Sequence, residues 1–223
     1  MNKQLTLHRI LLSLVGFVIF WAIVTDAWGY SDRYFQFNGG SYIYSYLSRL
    51  VWVLPAVYLI IRYSDSLCIN RKGLFSLPRF NKSLIVVLGV SAIYVICVML
   101  VNHKGAWLNK SINLPFGIMK YVIVGFVEET VFRGWGYNAL TKVTTDKKAV
   151  ILSTMFFVFV HWPAYFVKLY RFGIFDISGL FVQSLSAVVW GLIFCWLLKS
   201  GKTIWNPIIA HTFYDYASVL LIG

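Results

Sequence analysis

The sequence predicts an all-α membrane protein, a polytopic bundle of about seven spanning helices with its N-terminus in the cytoplasm. Three observations predict it. Of 223 residues, 59% are apolar and only 13% are charged, against roughly half and a quarter in a soluble domain. Mean hydropathy is +0.72. The apolar runs are long and continuous, unlike the short alternating strands of an outer-membrane barrel. A soluble enzyme, a disordered chain, a collagen and a disulfide scaffold are thereby excluded. Three cysteines, Cys68, Cys97 and Cys195, make no disulfide framework and read as small apolar fillers.

A span needs about 20 predominantly apolar residues. Span 1 runs from Ile10 to Trp28, too long and followed by too many further spans for a cleaved signal peptide. Span 2, Tyr42 to Ile61, is polar and aromatic from Ser41 to Arg49 and interrupted by Pro55, so it reads as a tilted or interfacial segment. Span 3 covers Ser83 to Val101, span 4 Pro115 to Leu140 and span 5 Ala149 to Phe166. Span 6 covers Phe175 to Leu198 and span 7 Thr203 to Ile222. No repeat or linker divides the chain, which reads as a single membrane domain over 1–223: scaffold spans over 1–110 and a motif-bearing core over 115–223.

Charge sets the orientation. With the N-terminus inside, the inner segments carry twelve basic residues: Lys3, Arg9, Arg62, Arg71, Lys72, Arg79, Lys82, Lys142, Lys147, Lys148, Lys199 and Lys202. The outer segments carry five: Arg33, Lys104, Lys110, Lys168 and Arg171. This is the positive-inside pattern, and it puts the C-terminus outside. The net charge of +12 is accordingly read as basic loops touching anionic lipid, with no nucleic-acid partner. Trp28, Tyr30, Trp107, Trp162, Tyr165 and Trp205 fall where interfacial anchors sit.

Among eight acidic residues only two are Glu, and they are neighbours, Glu128 and Glu129. With loops subtracted, the ionisable groups left at bilayer depth are Glu128, Glu129, Arg133, His161, His211 and Asp215; Lys120 sits near a helix end and can snorkel. Each such group costs about 2.5–3.5 kcal/mol on insertion scales, so they must face one another. Helix periodicity divides them. Glu129 and Arg133 are i,i+4 in the acid-first order, a pair that neutralises itself. Glu128 lies about 100° around the helix and is expected to face a cavity. Asp215, one turn beyond His211, can accept its imidazole N–H. Phe157 stands one turn before His161. A structural reading competes throughout: a buried ion pair fixing helix register, or histidines acting as interhelical hydrogen-bonders. Adjacent carboxylates at mid-membrane favour function.

At these residues the sequence resembles a known family. Glu128 to Gly134 reads EETVFRG, the pattern EExxxR; Phe157 to His161 reads FVFVH, the pattern FxxxH; His211 to Asp215 reads HTFYD, the pattern HxxxN/D, preceded by WNPIIAH. In this order on three apolar helices they resemble the CPBP family, which comprises CAAX prenyl endopeptidases and bacteriocin-processing or immunity (Abi) proteins. The resemblance covers Pro115 to Gly223. Many members carry Asn where this chain has Asp215; others share the Asp. HExxH, a GxGD aspartate pair and GxSG, signatures of other intramembrane proteases, are absent.

The resemblance implies hydrolysis of a peptide bond by activated water at the membrane. Glu128 would be the general base. His161 and His211 would position the water and stabilise the oxyanion. Asp215 would orient His211, and Arg133 would hold Glu129. Two arrangements stay open: a water held by Glu and His alone, or a water held by zinc. Zinc is the one metal they could take, with Glu128, His161 and His211 as candidate ligands. The partners implied are a peptide or protein substrate at the membrane, and lipid. The alternative is a non-catalytic bacteriocin self-immunity protein or a membrane scaffold, for which Glu128→Ala would leave activity intact. A proton-coupled transporter would show broken helices or a two-fold repeat, and the sequence has neither.

Overall fold

A computed structural model describes residues 5–34, 40–103 and 114–221. The described residues form helices joined by short connections. In order they are α1 (Leu7–Tyr34), α2 (Gly40–Arg62), a 3-10 turn (Ser64–Ser66), α3 (Arg71–Leu74), α4 (Lys82–His103) and α5 (Leu114–Glu129). A π-helical segment (Thr130–Tyr137) runs straight on into α6 (Asn138–Val143). Then come α7 (Asp146–Phe159), α8 (Trp162–Phe172), α9 (Ile177–Gly201) and α10 (Trp205–Leu221).

Among the described residues five stretches are long and apolar enough to cross a membrane: Leu7–Ala27, Ile43–Arg62, Lys82–Val101, Asp146–Phe172 and Ile177–Gly201. The seven spans expected from the sequence include two that this measure does not pick out. The two that fall out are spans 4 and 7, α5 with its continuation and α10. Helix α5 has 16 residues before the π segment and α10 has 17, each shorter than the roughly 20 residues a crossing needs. Span 2 is also corrected. Pro55 lies inside α2 without ending it, because at a lipid-buried helix neighbouring groups can absorb the lost hydrogen bond. Span 5 is broken by a turn at Val160 and His161, and Pro163 opens the next helix. Lys3, Lys104, Trp107 and Lys110 lie outside the described residues, as do the side chains of Trp28, Tyr30 and Arg33.

The helices turn apolar side chains outward, as lipid requires. Ile19, Ile93, Val101 and Phe181 are all more than half exposed. The centre instead holds the polar π segment, every residue of which is buried. Around it, α10 packs on α4, α5 and α9; α7 packs on α9 and the π segment; α2 packs on α5 and the π segment. Helices α5 and α10 approach closely at Gly125, where a Cβ would lie 2.6 Å from Thr212 Oγ1 and 3.2 Å from the Ile208 carbonyl. Small residues at such crossings are how membrane helices gain contact without a hydrophobic driving force. Helix α1 docks on α8, closed by the Asp26–Arg171 ion pair (2.9 Å). All three cysteines are free, and only Cys195 is buried.

Two asparagines hold the connection between α2 and α4. Asn138 accepts from the Ile69 N–H (2.7 Å) and donates to its carbonyl (2.8 Å). Asn206 does the same for Arg79, at 3.0 and 2.8 Å. Each side-chain amide thus satisfies the exposed backbone of an irregular segment as a β-strand neighbour would. Asn206 belongs to the WNPIIAH stretch, which gives that stretch a structural role beside the helix it opens.

Candidate active site

The site is built on three consecutive pieces of backbone: the α5–π junction, the turn after α7, and the middle of α10. At the junction Glu129 is fully buried, and its Oε1 lies 3.1 Å from Arg133 Nη1, the i,i+4 pair. Arg133, also fully buried, donates from Nη2 to the Gly191 carbonyl (3.3 Å). Its guanidinium lies over the rings of Phe157 (4.1 Å) and Phe194 (5.1 Å). A desolvated guanidinium between aromatic faces gains cation–π attraction as well as its ion pair. The π segment begins at the next residue, Thr130; such wide turns recur at functional sites.

The same Glu129 Oε1 accepts from Nδ1–H of His211 (2.8 Å). One carboxylate oxygen therefore serves two donors, Arg133 and His211. Asp215 reaches the other side of the ring, with Oδ2 3.3 Å from Nε2. This corrects the sequence reading in one respect: the closest carboxylate orienting His211 is Glu129, from another helix, and Asp215 faces the opposite nitrogen. Glu128 Oε2 lies 3.9 Å from that same Nε2. Sequence spacing reveals i,i+4 partners, whereas the Glu129–His211 bond joins residues 82 apart. Phe194 stacks on His211 with ring centroids 4.8 Å apart.

His161 stands apart from this network. Its Nδ1–H donates to the Phe157 carbonyl (2.7 Å), because a carbonyl only accepts. In the neutral ring Nε2 is then a free acceptor. Phe157 stands edge-on to both histidines, 5.1 Å from His161 and 6.1 Å from His211.

His161, His211 and Asp215 line one cavity of about 150 Å³ together with Gln183 of α9. His161 and Gln183 also line a neighbouring cavity of about 240 Å³ that reaches Lys168. The two shared residues make a polar path from the α8 side to His211. Glu128 does not line the first cavity, contrary to the expectation that it faces it; the cavity opens between α7, α9 and α10, and Glu128 on α5 meets it only through the His211 ring. A wider concavity, about 870 Å³, is an apolar groove between α1, α7 and α8 that includes none of these site residues.

Among the described residues no three His, Cys, Asp or Glu side chains come together as a group that could hold a metal ion. Glu128, His161 and His211, the zinc candidates, do not form such a set, and no step below is routed through a metal.

Two residues escaped the sequence reading. Gln183 lines both polar cavities; being uncharged, it is not marked by a search for buried ionisable groups. Arg49 of α2 feels the charges of Glu128 and Asp215. Its signal was available, since it is a guanidinium within a predicted span, but the polar first half of that span read as interfacial.

A family model described as type II CAAX prenyl endopeptidase, Rce1-like, matches residues 110–217. That stretch contains every residue of the site except Arg49. No curated protein and no solved structure matches the chain.

Proposed function

With residues 110–217 matching the model of the Rce1-like family of type II CAAX prenyl endopeptidases, we propose that this membrane protein is a glutamate-dependent intramembrane endopeptidase whose general base is Glu128. One observation carries the choice between the two glutamates. Glu129 has no exposed side-chain surface and is engaged by Arg133 and His211. Glu128 keeps 12% of its side chain accessible and its nearest cation is 3.9 Å away. Both of the Glu129 bonds fall on Oε1, and its Oε2 is sealed from solvent with no hydrogen-bond partner; a carboxylate that water does not reach cannot take its proton, whereas one with open surface can.

In this mechanism water, positioned in part by the free Nε2 of His161, gives a proton to Glu128 while its oxygen adds to the scissile carbonyl carbon. The carbonyl π electrons move to oxygen, and the oxyanion is met by N–H donation from Nε2 of His211 in its protonated form. Collapse of the tetrahedral intermediate breaks the C–N bond, and the proton held by Glu128 goes to the leaving amine. Glu129, Arg133 and Asp215 act by positioning His211 and the junction between α5 and the π segment. The polar path past His161 and Gln183 supports water entry as far as His211, whose Nε2 lies 3.9 Å from Glu128 Oε2. The topology proposed with it is seven crossings in a bacterial plasma membrane, N-terminus in the cytoplasm, with the α5–π–α6 and α10 helices shielded from lipid by the other five.

The test uses the purified chain in lipid vesicles with a farnesylated peptide ending in a C-a-a-X sequence. Mass spectrometry should detect the released C-terminal fragment, with one oxygen from labelled water in the new carboxylate. Glu128→Gln should reduce the rate by two orders of magnitude or more. A Glu128→Gln protein that cleaves at the full rate removes the proposal.

A further inference from the structure

Both polar cavities lie toward one end of the bundle, and that end is the one poor in basic residues. The opposite end is tied together by contacts among three connections. Cys68 N–H donates to the Asn138 carbonyl (3.4 Å), Ile204 N–H donates to the Leu74 carbonyl (2.8 Å), and Lys199 pairs with Asp146 (2.8 Å). Residues 62–82, 142–148 and 199–204, which form this end, carry ten basic residues against two acids, Asp65 and Asp146. The end formed by α8 and its connection to α9 carries Lys168 and Arg171, and Arg171 is paired with Asp26 of α1. In short connections such an excess of Lys and Arg marks the cytoplasmic side.

The depth of the site follows from the helices that carry it. Helix α9 begins after Asp176, whose exposed carboxylate caps it by accepting from the Gly179 N–H (2.7 Å). Gln183 lies about 10 Å along α9 from that cap and about 27 Å from Gly201 at the basic end. His161 lies about 22 Å from Asp146 at the basic end. From these two residues the second cavity continues to Ala164 and Lys168, both exposed. In the other direction the packing is closed. Phe194 stacks on His211 at 4.8 Å, and beyond it Cys195, Leu197 and Leu198 are fully buried.

We propose that the catalytic cavity opens to the extracytoplasmic side, and that the substrate is a polypeptide segment presented at the outer face of the membrane. Water enters by the same mouth, past Lys168. A depth of about 10 Å is covered by about three extended residues. The substrate segment is therefore unfolded next to the membrane surface and reaches the site without crossing the bilayer. This inference deepens the proteolytic reading and rests on it for the reaction; the side of access rests on charge and depth.

The side is tested without turnover. Cys68 is exposed and lies at the basic end, so it marks that end in the unaltered chain. Lys168→Cys marks the mouth of the cavity and Gln183→Cys its interior. Each full-length chain is expressed in a bacterial host. Its spheroplasts are treated with a charged methanethiosulfonate that does not cross the bilayer, and the modified positions are read by mass spectrometry. The thiols introduced by Lys168→Cys and Gln183→Cys should be modified in sealed spheroplasts, and Cys68 only after permeabilisation. Cys68 modified in sealed spheroplasts, or either introduced thiol modified only after permeabilisation or not at all, overturns the inference. The unaltered chain is then sealed in vesicles with Cys68 facing the lumen. A farnesylated C-a-a-X peptide, held outside by a hydrophilic polymer on its N-terminus, should be cleaved without detergent. Cleavage only of peptide enclosed on the Cys68 side overturns the inference. If the labelling is as expected but peptide on neither side is cleaved, the proteolytic reading falls and the outward opening stands.

Discussion

Replacing Glu129 by Gln should destabilise the protein far more than the same change at Glu128. Glu129 is fully buried, with one oxygen shared by Arg133 at 3.1 Å and His211 at 2.8 Å. Removing one partner of a buried ion pair costs about 3–5 kcal/mol, since the other charge is left desolvated. Two features moderate the loss. The Gln amide oxygen still accepts one hydrogen bond, and Arg133 keeps the Gly191 carbonyl and the faces of Phe157 and Phe194, cation–π contacts that reach about 2 kcal/mol when desolvated. The lower end, about 3 kcal/mol, is therefore expected. At about 2–4 °C per kcal/mol for a chain of this size, that is a fall in melting temperature of about 6–12 °C. The ion pair of Glu128 among the described residues is the long 3.9 Å approach to His211, so Glu128→Gln should move the melt by less than about 3 °C, a loss under about 1 kcal/mol. The assay is thermal unfolding of both variants purified in the same detergent, followed by tryptophan fluorescence. Equal shifts, or a larger shift for Glu128→Gln, would refute the division of labour between the two glutamates.

Three further outcomes are expected. In vesicle cleavage assays, His211→Ala with Asp215→Ala should be no slower than His211→Ala alone, because Asp215 acts through the ring it faces at 3.3 Å; losses that multiply would give Asp215 an independent role. Gly125→Leu should separate α5 from α10, since even a Cβ would meet Thr212 Oγ1 at 2.6 Å; a cleavage rate and melt both unchanged would show that this crossing does not set the site. Asn206→Ala removes both hydrogen bonds to Arg79 and should lower stability by about 1–3 kcal/mol. Limited proteolysis between α2 and α4 should rise with it; an unaltered digestion pattern would mean the clamp is redundant.

The all-helical class, the positions of most helices and the membership of the polar cluster were legible in the chain. Lipid imposes long apolar runs, and ionisable residues within them are few enough to be named one by one. The i,i+4 pairs were equally legible: Glu129 with Arg133, and His211 beside Asp215, are consequences of the 3.6-residue period alone. Only the tertiary structure could decide contacts between helices. The strongest hydrogen bond to His211 comes from Glu129 on another helix, Arg49 arrives from a helix that bears no motif, and the cavity opens on the side of His211 away from Glu128. Periodicity fixes which residues share a face of one helix, but the rotation and depth at which two helices meet are set by small-residue crossings such as Gly125 and by aromatic contacts such as Trp52 with Phe132. Those depend on both partners at once, so neither helix encodes them by itself.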